Sequence, residues 1–168
     1  MKKKIDIVKQ LLTSGDEDFI LDQLLLIRQT GTVSLLPGLA LLAIETKSPR
    51  VKNEVLSIFR DIKDKNAAGT IVLILQNPAY RIFRKDILSC CWESSIDFGD
   101  YLADFVSIFN SCDDETAIEV FTLIGNATHY PTSEVISQQV EMLIEAKKDM
   151  SAMKKSLADD LIRLFRKI

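Results

Sequence analysis

Two short strings constrain this chain more than any other feature: Ser48-Pro49-Arg50-Val51-Lys52 and Asn77-Pro78-Ala79-Tyr80-Arg81. Each opens an apolar segment of helical period. Each follows another helical segment of similar length. Proline is favoured at the first position of a helix, where its missing N–H is not needed. A turn of this kind between two helices, used twice about 30 residues apart, is the grammar of stacked helical hairpins. Such arrays act through shape and surface rather than through a small catalytic cluster.

Helical spacing of apolar residues runs through nearly the whole chain. A first helix closes at Leu11-Leu12, before Ser14-Gly15. A second spans about Asp16 to Thr30, with acids at its positive end and Gly31 as its stop. A third covers about Ser34 to Thr46, with Pro37 in its first turn. The fourth starts at Pro49 and aligns Val51, Val55, Ile58, Phe59 and Ile62 on one face. The fifth, about Ala67 to Gln76, carries Ile71-Val72-Leu73-Ile74-Leu75, which suits a buried strand by propensity. Helix is preferred because no partner strand is legible elsewhere. A sixth runs from Pro78 to about Glu93, burying Tyr80, Phe83, Ile87 and Cys91. A seventh runs from about Asp97 to Asn110 and an eighth from about Asp114 to Thr128. Pro131 then breaks the chain. Two more helices follow, about Ser133 to Lys147 and Ser151 to Arg166.

Ten helices make five hairpins. Aligning the second helix of each puts Leu24, Ile58, Leu88, Phe121 and Leu161 in register, at intervals of 34, 30, 33 and 40 residues. A near-constant period in this range marks a solenoid. The residues now resemble HEAT repeats. Leu36-Pro37-Gly38-Leu39-Ala40-Leu41-Leu42 is similar to that family's first helix, and the two proline strings are similar to its inter-helix turn, with Lys52 and Arg81 at the basic position. The other three hairpins lack that motif, Asp113-Asp114-Glu115-Thr116-Ala117 keeping only an acidic start. The resemblance implies an all-α, right-handed α-α superhelix, residues 1–168 forming one domain whose second helices line a concave face. An irregular helical bundle is the competing architecture.

Charge is distributed in bands. Residues 47–85 hold nine basic and three acidic side chains. Residues 86–146 hold twelve acids and no Lys or Arg. From Lys147 onward there are seven basic and three acidic residues. The net charge of −3 hides this alternation. Fields so arranged steer and orient charged partners. The candidate partner-binding residues are Arg60, Arg81 and Lys85 in the basic band. In the acidic band they are Asp97, Asp100 and Asp104, spaced i, i+3, i+7 on the seventh helix, and Glu115, Glu119 and Asn126 on the eighth. A solvated surface is the plainer account of the same residues.

Other chemistry finds little support. Cys90, Cys91 and Cys112 are an odd set with two neighbours adjacent, poor for disulfides, and read as reduced, buried hydrophobes. With His129 the only histidine, a Cys/His zinc site is not expected. No Asp-x-Asp-x-Asp-Gly loop, Gly-rich phosphate loop, His-Glu-x-x-His or Gly-x-Ser-x-Gly string occurs. His129 follows the eighth helix, where a cation suits the helix C-terminus. Trp92 reads as a core or inter-repeat anchor. No secretory leader and no run long enough to span a membrane is legible, so a cytoplasmic protein is expected.

The expectation is therefore a non-enzymatic interaction module, a small adaptor or scaffold without cofactor or metal. It would bind a protein or peptide with basic and acidic patches, self-association being one variant. The alternative is nucleic-acid binding or processing through residues 47–85. An acidic chain of pI about 5.2 argues against it.

Overall fold

The computed structural model describes residues 2–31 and 33–168, with side chains described from Ile7 onward. Among these residues there are ten α-helices and no strand. They are α1 (Lys2–Thr13), α2 (Glu17–Thr30), α3 (Leu36–Glu45), α4 (Pro49–Asp61), α5 (Ala67–Gln76), α6 (Arg84–Glu93), α7 (Leu102–Ser111), α8 (Asp114–Gly125), α9 (Ser133–Ala146) and α10 (Ala152–Phe165). Short 3-10 turns occupy Val33–Leu35, Pro78–Phe83, Gly99–Tyr101 and Lys147–Asp149. None of the helices is long and apolar enough to cross a membrane.

Side chains that cap orphan amides fix many of the starts. Asp16 accepts from the Phe19 amide at 3.1 Å and Ser48 from Val51 at 3.2 Å. Asp113 accepts from Thr116 at 2.9 Å and Ser151 from Lys154 at 3.2 Å. Once started, each helix is held by its apolar stripe. In α4, Val51, Val55, Ile58 and Phe59 are all buried, each burial contributing about 1.5–3 kcal/mol. The Ile71–Leu75 run is helical, as α5, and buries Ile71, Val72, Ile74 and Leu75.

Two expected helices begin later than the spacing indicates. The sixth starts at Arg84, because the Asn77 side chain accepts from the Ala79 amide, two residues on, at 2.9 Å. That bond tightens Pro78–Phe83 into a 3-10 turn, with Phe83 buried but Tyr80 only half-buried. The seventh starts at Leu102, because the Asp97 carboxylate accepts from the Gly99 amide at 2.8 Å and leads into a 3-10 turn, Gly99–Tyr101, ahead of the α-helix. Asp97 is therefore not on the helix.

The chain divides into two compact units, Met1–Ile96 and Asp97–Ile168. In the first, α1 packs on α3 and α3 on α5, while α2 packs on α4 and α4 on α6. Helix α3 also packs on α4, and Pro78–Phe83 packs on α3, α5 and α6. The second unit repeats the scheme: α7 packs on α8 and α9 on α10, with α7 on α9 and α8 on α10. Each unit thus has two layers of helices. At one crossing the layers come very close: a Cβ on Gly38 would lie 2.3 Å from a Val8 methyl, so α1 passes α3 over a residue with no side chain.

Candidate functional site: a ladder of ion pairs across three helices

In the first unit, α2, α4 and α6 are tied by charged contacts, most of them at nearly the same sequence offset. At the starts of the helices, Glu17 of α2 meets Arg50 of α4 at 2.8 Å, and Lys52 of α4 meets Asp86 of α6 at 2.7 Å. At the ends, Arg28 of α2 pairs with Asp61 of α4, and Arg60 of α4 with Glu93 of α6. Arg28 also reaches Glu54 at 3.2 Å. The separation is 33 residues in three of these pairs. Between α4 and α6, the Cys90 thiol also approaches the Leu56 carbonyl at 3.4 Å. Start meets start and end meets end, so the three helices run parallel and in register.

These pairs are partly exposed, so solvent screens them and each adds little to stability. Their value is positional. The Asp61 hydrogen bond raises the Arg28 pKa, and the Glu93 hydrogen bond raises that of Arg60. Both guanidinium groups stay charged, and a one-turn slip would part each from its acid.

The nine expected contact residues fall in both units. Arg60 is exposed on α4 and holds Glu93. Arg81 is exposed within Pro78–Phe83, and Lys85 is exposed in the first turn of α6. Asp97 and Asp100 precede α7 and only Asp104 lies on it, so the three do not form one helical stripe. Glu115 and Glu119 are on α8, and Asn126 is its C-cap. Much of the acidic band is engaged inside the chain. Asp86 and Glu93 hold ladder cations, Asp113 caps α8, and Asp114 accepts from the Ser151 hydroxyl at 2.8 Å.

What the structure does bring together is Asp97, Asp100 and His129. The imidazole lies 3.3 Å from Asp97 and 3.0 Å from Asp100. Asp97 also accepts from the Thr128 amide at 2.8 Å and from the Thr128 hydroxyl. The histidine thus clamps two loops rather than simply ending α8. Its pKa is raised, chiefly by the hydrogen bond to Asp100 and then by the charge of Asp97. Burial works against ionisation of Asp97, but the Thr128 and Gly99 hydrogen bonds prevail and its pKa is lowered.

A second feature escaped the sequence reading. Lys154 is 5% exposed, and its ammonium donates to the Asn110 and Cys112 carbonyls beneath α7. The available signal was its place on the buried face of α10, with Ala158, Leu161, Ile162 and Phe165. Trp92, expected as an anchor, is 39% exposed. The three cysteines are buried and unbridged, and burial pushes the Cys91 thiol well above its ordinary range.

A cavity of about 150 Å³ lies beside Ile27, Leu36, Leu39 and Ile58, with Arg28 and Asp61 in its wall. Among the described residues, no group of three or more His, Cys, Asp or Glu side chains is placed to hold a metal ion. No family model matches the chain, and no curated protein or solved structure does either.

Proposed function

We propose that the chain is a right-handed α-α superhelix of five HEAT-like hairpins acting as a non-enzymatic protein-interaction module. The observation that carries this reading is the in-register ladder across α2, α4 and α6. A parallel layer of inner helices, tied at one repeat length, is what a stacked array requires. Such a layer presents a continuous rigid face, and rigid faces bind without a large ordering penalty.

On that layer the outward positions are Asn53 and Arg60 of α4 and Lys85 and Trp92 of α6, and in the second unit Glu115 and Asn126 are exposed on α8 and at its end. The cations of α4 each stand beside a carboxylate, so the surface is bipolar rather than basic. The partner in this reading is a protein or peptide with alternating basic and acidic patches. Nucleic acid is disfavoured: Arg50, Lys52 and Arg60 already hold carboxylates, and phosphate binding needs cations to neutralise phosphates.

The test is affinity capture from native lysate, with nuclease, at low and high salt. A protein retained despite nuclease and released by salt supports the module. Capture of nucleic acid, or of proteins lost on nuclease treatment, contradicts it.

A further inference from the structure

We propose that the cavity between the ends of α2 and α4 and the starts of α3 and α5 is a binding site for one small, uncharged, apolar molecule about the size of a benzene ring. The site lies wholly within the first unit and does not rest on the partner reading.

Four helices build its floor. Ile27 comes from α2, Leu36 and Leu39 from α3, Ile58 from α4 and Ala67 from α5, and all five are buried. Val33 and Ile62, both half-buried, complete the apolar lining. These side chains leave about 150 Å³ between them. Protein interiors interdigitate closely, with few voids larger than a water molecule. Two features keep this one from closing. Arg28 of α2 and Asp61 of α4 stand in the wall and are bonded to each other, so the pair braces the ends of the two helices. Ala67, the side chain that α5 contributes, is too short to fill the space.

The lining names the ligand. A buried water needs two to four polar partners, and the floor offers no polar side chain. An apolar cavity of about 150 Å³ stays dry and accepts benzene. The exposed members of the lining mark its mouth, and among them are two cations, Arg28 and Lys63, and two carboxylates, Asp61 and Asp64. Arg28 is engaged by Asp61 and Glu54. Asp64 accepts from the Asn66 amide and side chain, both at 2.9 Å. The mouth thus sums to no net charge. An ion entering the floor would leave water without meeting a counter-charge, which is costly.

Nor does the mouth suit a side chain carried on a protein surface. The core of an interface is an apolar patch. None of the exposed large apolar side chains among the described residues belongs to this lining. The occupant is a free molecule.

Methyl NMR of the full chain tests this, with benzene, benzoate and benzylammonium as probes. Benzene should shift the signals of Ile27, Leu39 and Ile58 saturably, as one site, and leave Leu161 of the second unit unmoved. It should also raise the melting temperature with concentration, as a ligand of the folded state does. Benzoate and benzylammonium should bind at least about tenfold more weakly. Val33→Trp adds bulk at a half-buried lining position and should abolish the benzene response. Benzene that leaves the three first-unit methyls unmoved overturns the proposal, and that result does not depend on how the variant folds. A charged probe that binds as well as benzene overturns the uncharged class. A response undiminished in folded Val33→Trp overturns the site.

Discussion

The Lys154 ammonium lies 2.6 Å from the carbonyl oxygen of Cys112 and 3.2 Å from that of Asn110. It also stands 5.5 Å from the centre of the Phe109 ring. These carbonyls belong to the last turn and cap of α7, which no helical amide can satisfy. A side chain from α10 thus finishes a helix whose carbonyls lie 42 and 44 residues earlier in the chain. Lys154→Met keeps the aliphatic stem and removes the donor. Two carbonyls then lose their charged partner, while the desolvation cost of the ammonium disappears. Hydrogen bonds to charged groups contribute about 1.5–3 kcal/mol, so a net loss of about 1–2 kcal/mol is expected in chemical denaturation, with faster amide exchange at the end of α7.

Gly99 has no tolerance for a side chain. A Cβ there would lie 2.1 Å from the His129 carbonyl oxygen, a backbone atom that cannot swing aside. Gly99→Ala is expected to cost about 1–3 kcal/mol, as overpacking does. Thermal melting checks it, with Gly125→Ala as control, since a Cβ at Gly125 meets nothing within 4 Å.

The His129 clamp gives stability a defined pH dependence. The folded pKa of His129 lies above its ordinary 6.5. Its contribution is complete below that value and disappears as pH rises through the folded pKa. The Asp97 pKa lies below 3.8 in the folded chain, so its contribution is present above that value and lost as pH falls through the folded pKa. The melting temperature should therefore fall as pH rises from 6.5 through the folded pKa of His129. His129→Gln should flatten that slope while leaving the acid limb in place. An unchanged slope in the variant would refute the clamp.

Arg60 and Glu93 test the ladder. The pair is partly exposed, so Arg60→Glu should lower stability by no more than about 1 kcal/mol. The exchanged variant, Arg60→Glu with Glu93→Arg, should recover most of that loss. A double-mutant cycle with zero coupling would show that the pair does not fix the register of α4 and α6.

Much of the fold was legible because the signals were local. The stripe Val51, Val55, Ile58 and Phe59, and the caps Asp16, Ser48 and Asp113, act within one or two turns. The late starts at Arg84 and Leu102 were hidden in short side-chain bonds, Asn77 to Ala79 and Asp97 to Gly99, which compete with helix formation. Long-range partners were harder to read. The Asp97 strip looked helical because its spacing fits a helix, yet its carboxylate reaches Thr128, 31 residues on. The ladder left a trace in the sequence: opposite charges recur about one repeat apart in Glu17 and Arg50, Arg28 and Asp61, and Arg60 and Glu93. Lys154 left less, since a lysine on an apolar stripe usually lifts its charge to solvent.

The central claim is that charges on the inner helices bind a protein partner. The most direct measurement is calorimetric titration of the captured partner into wild type, Arg60→Glu and Glu119→Lys at two salt concentrations. The account predicts about tenfold or greater weakening in at least one variant, with a shallower salt dependence, tenfold corresponding to about 1.4 kcal/mol. Unchanged affinity and unchanged salt dependence in both variants would contradict it.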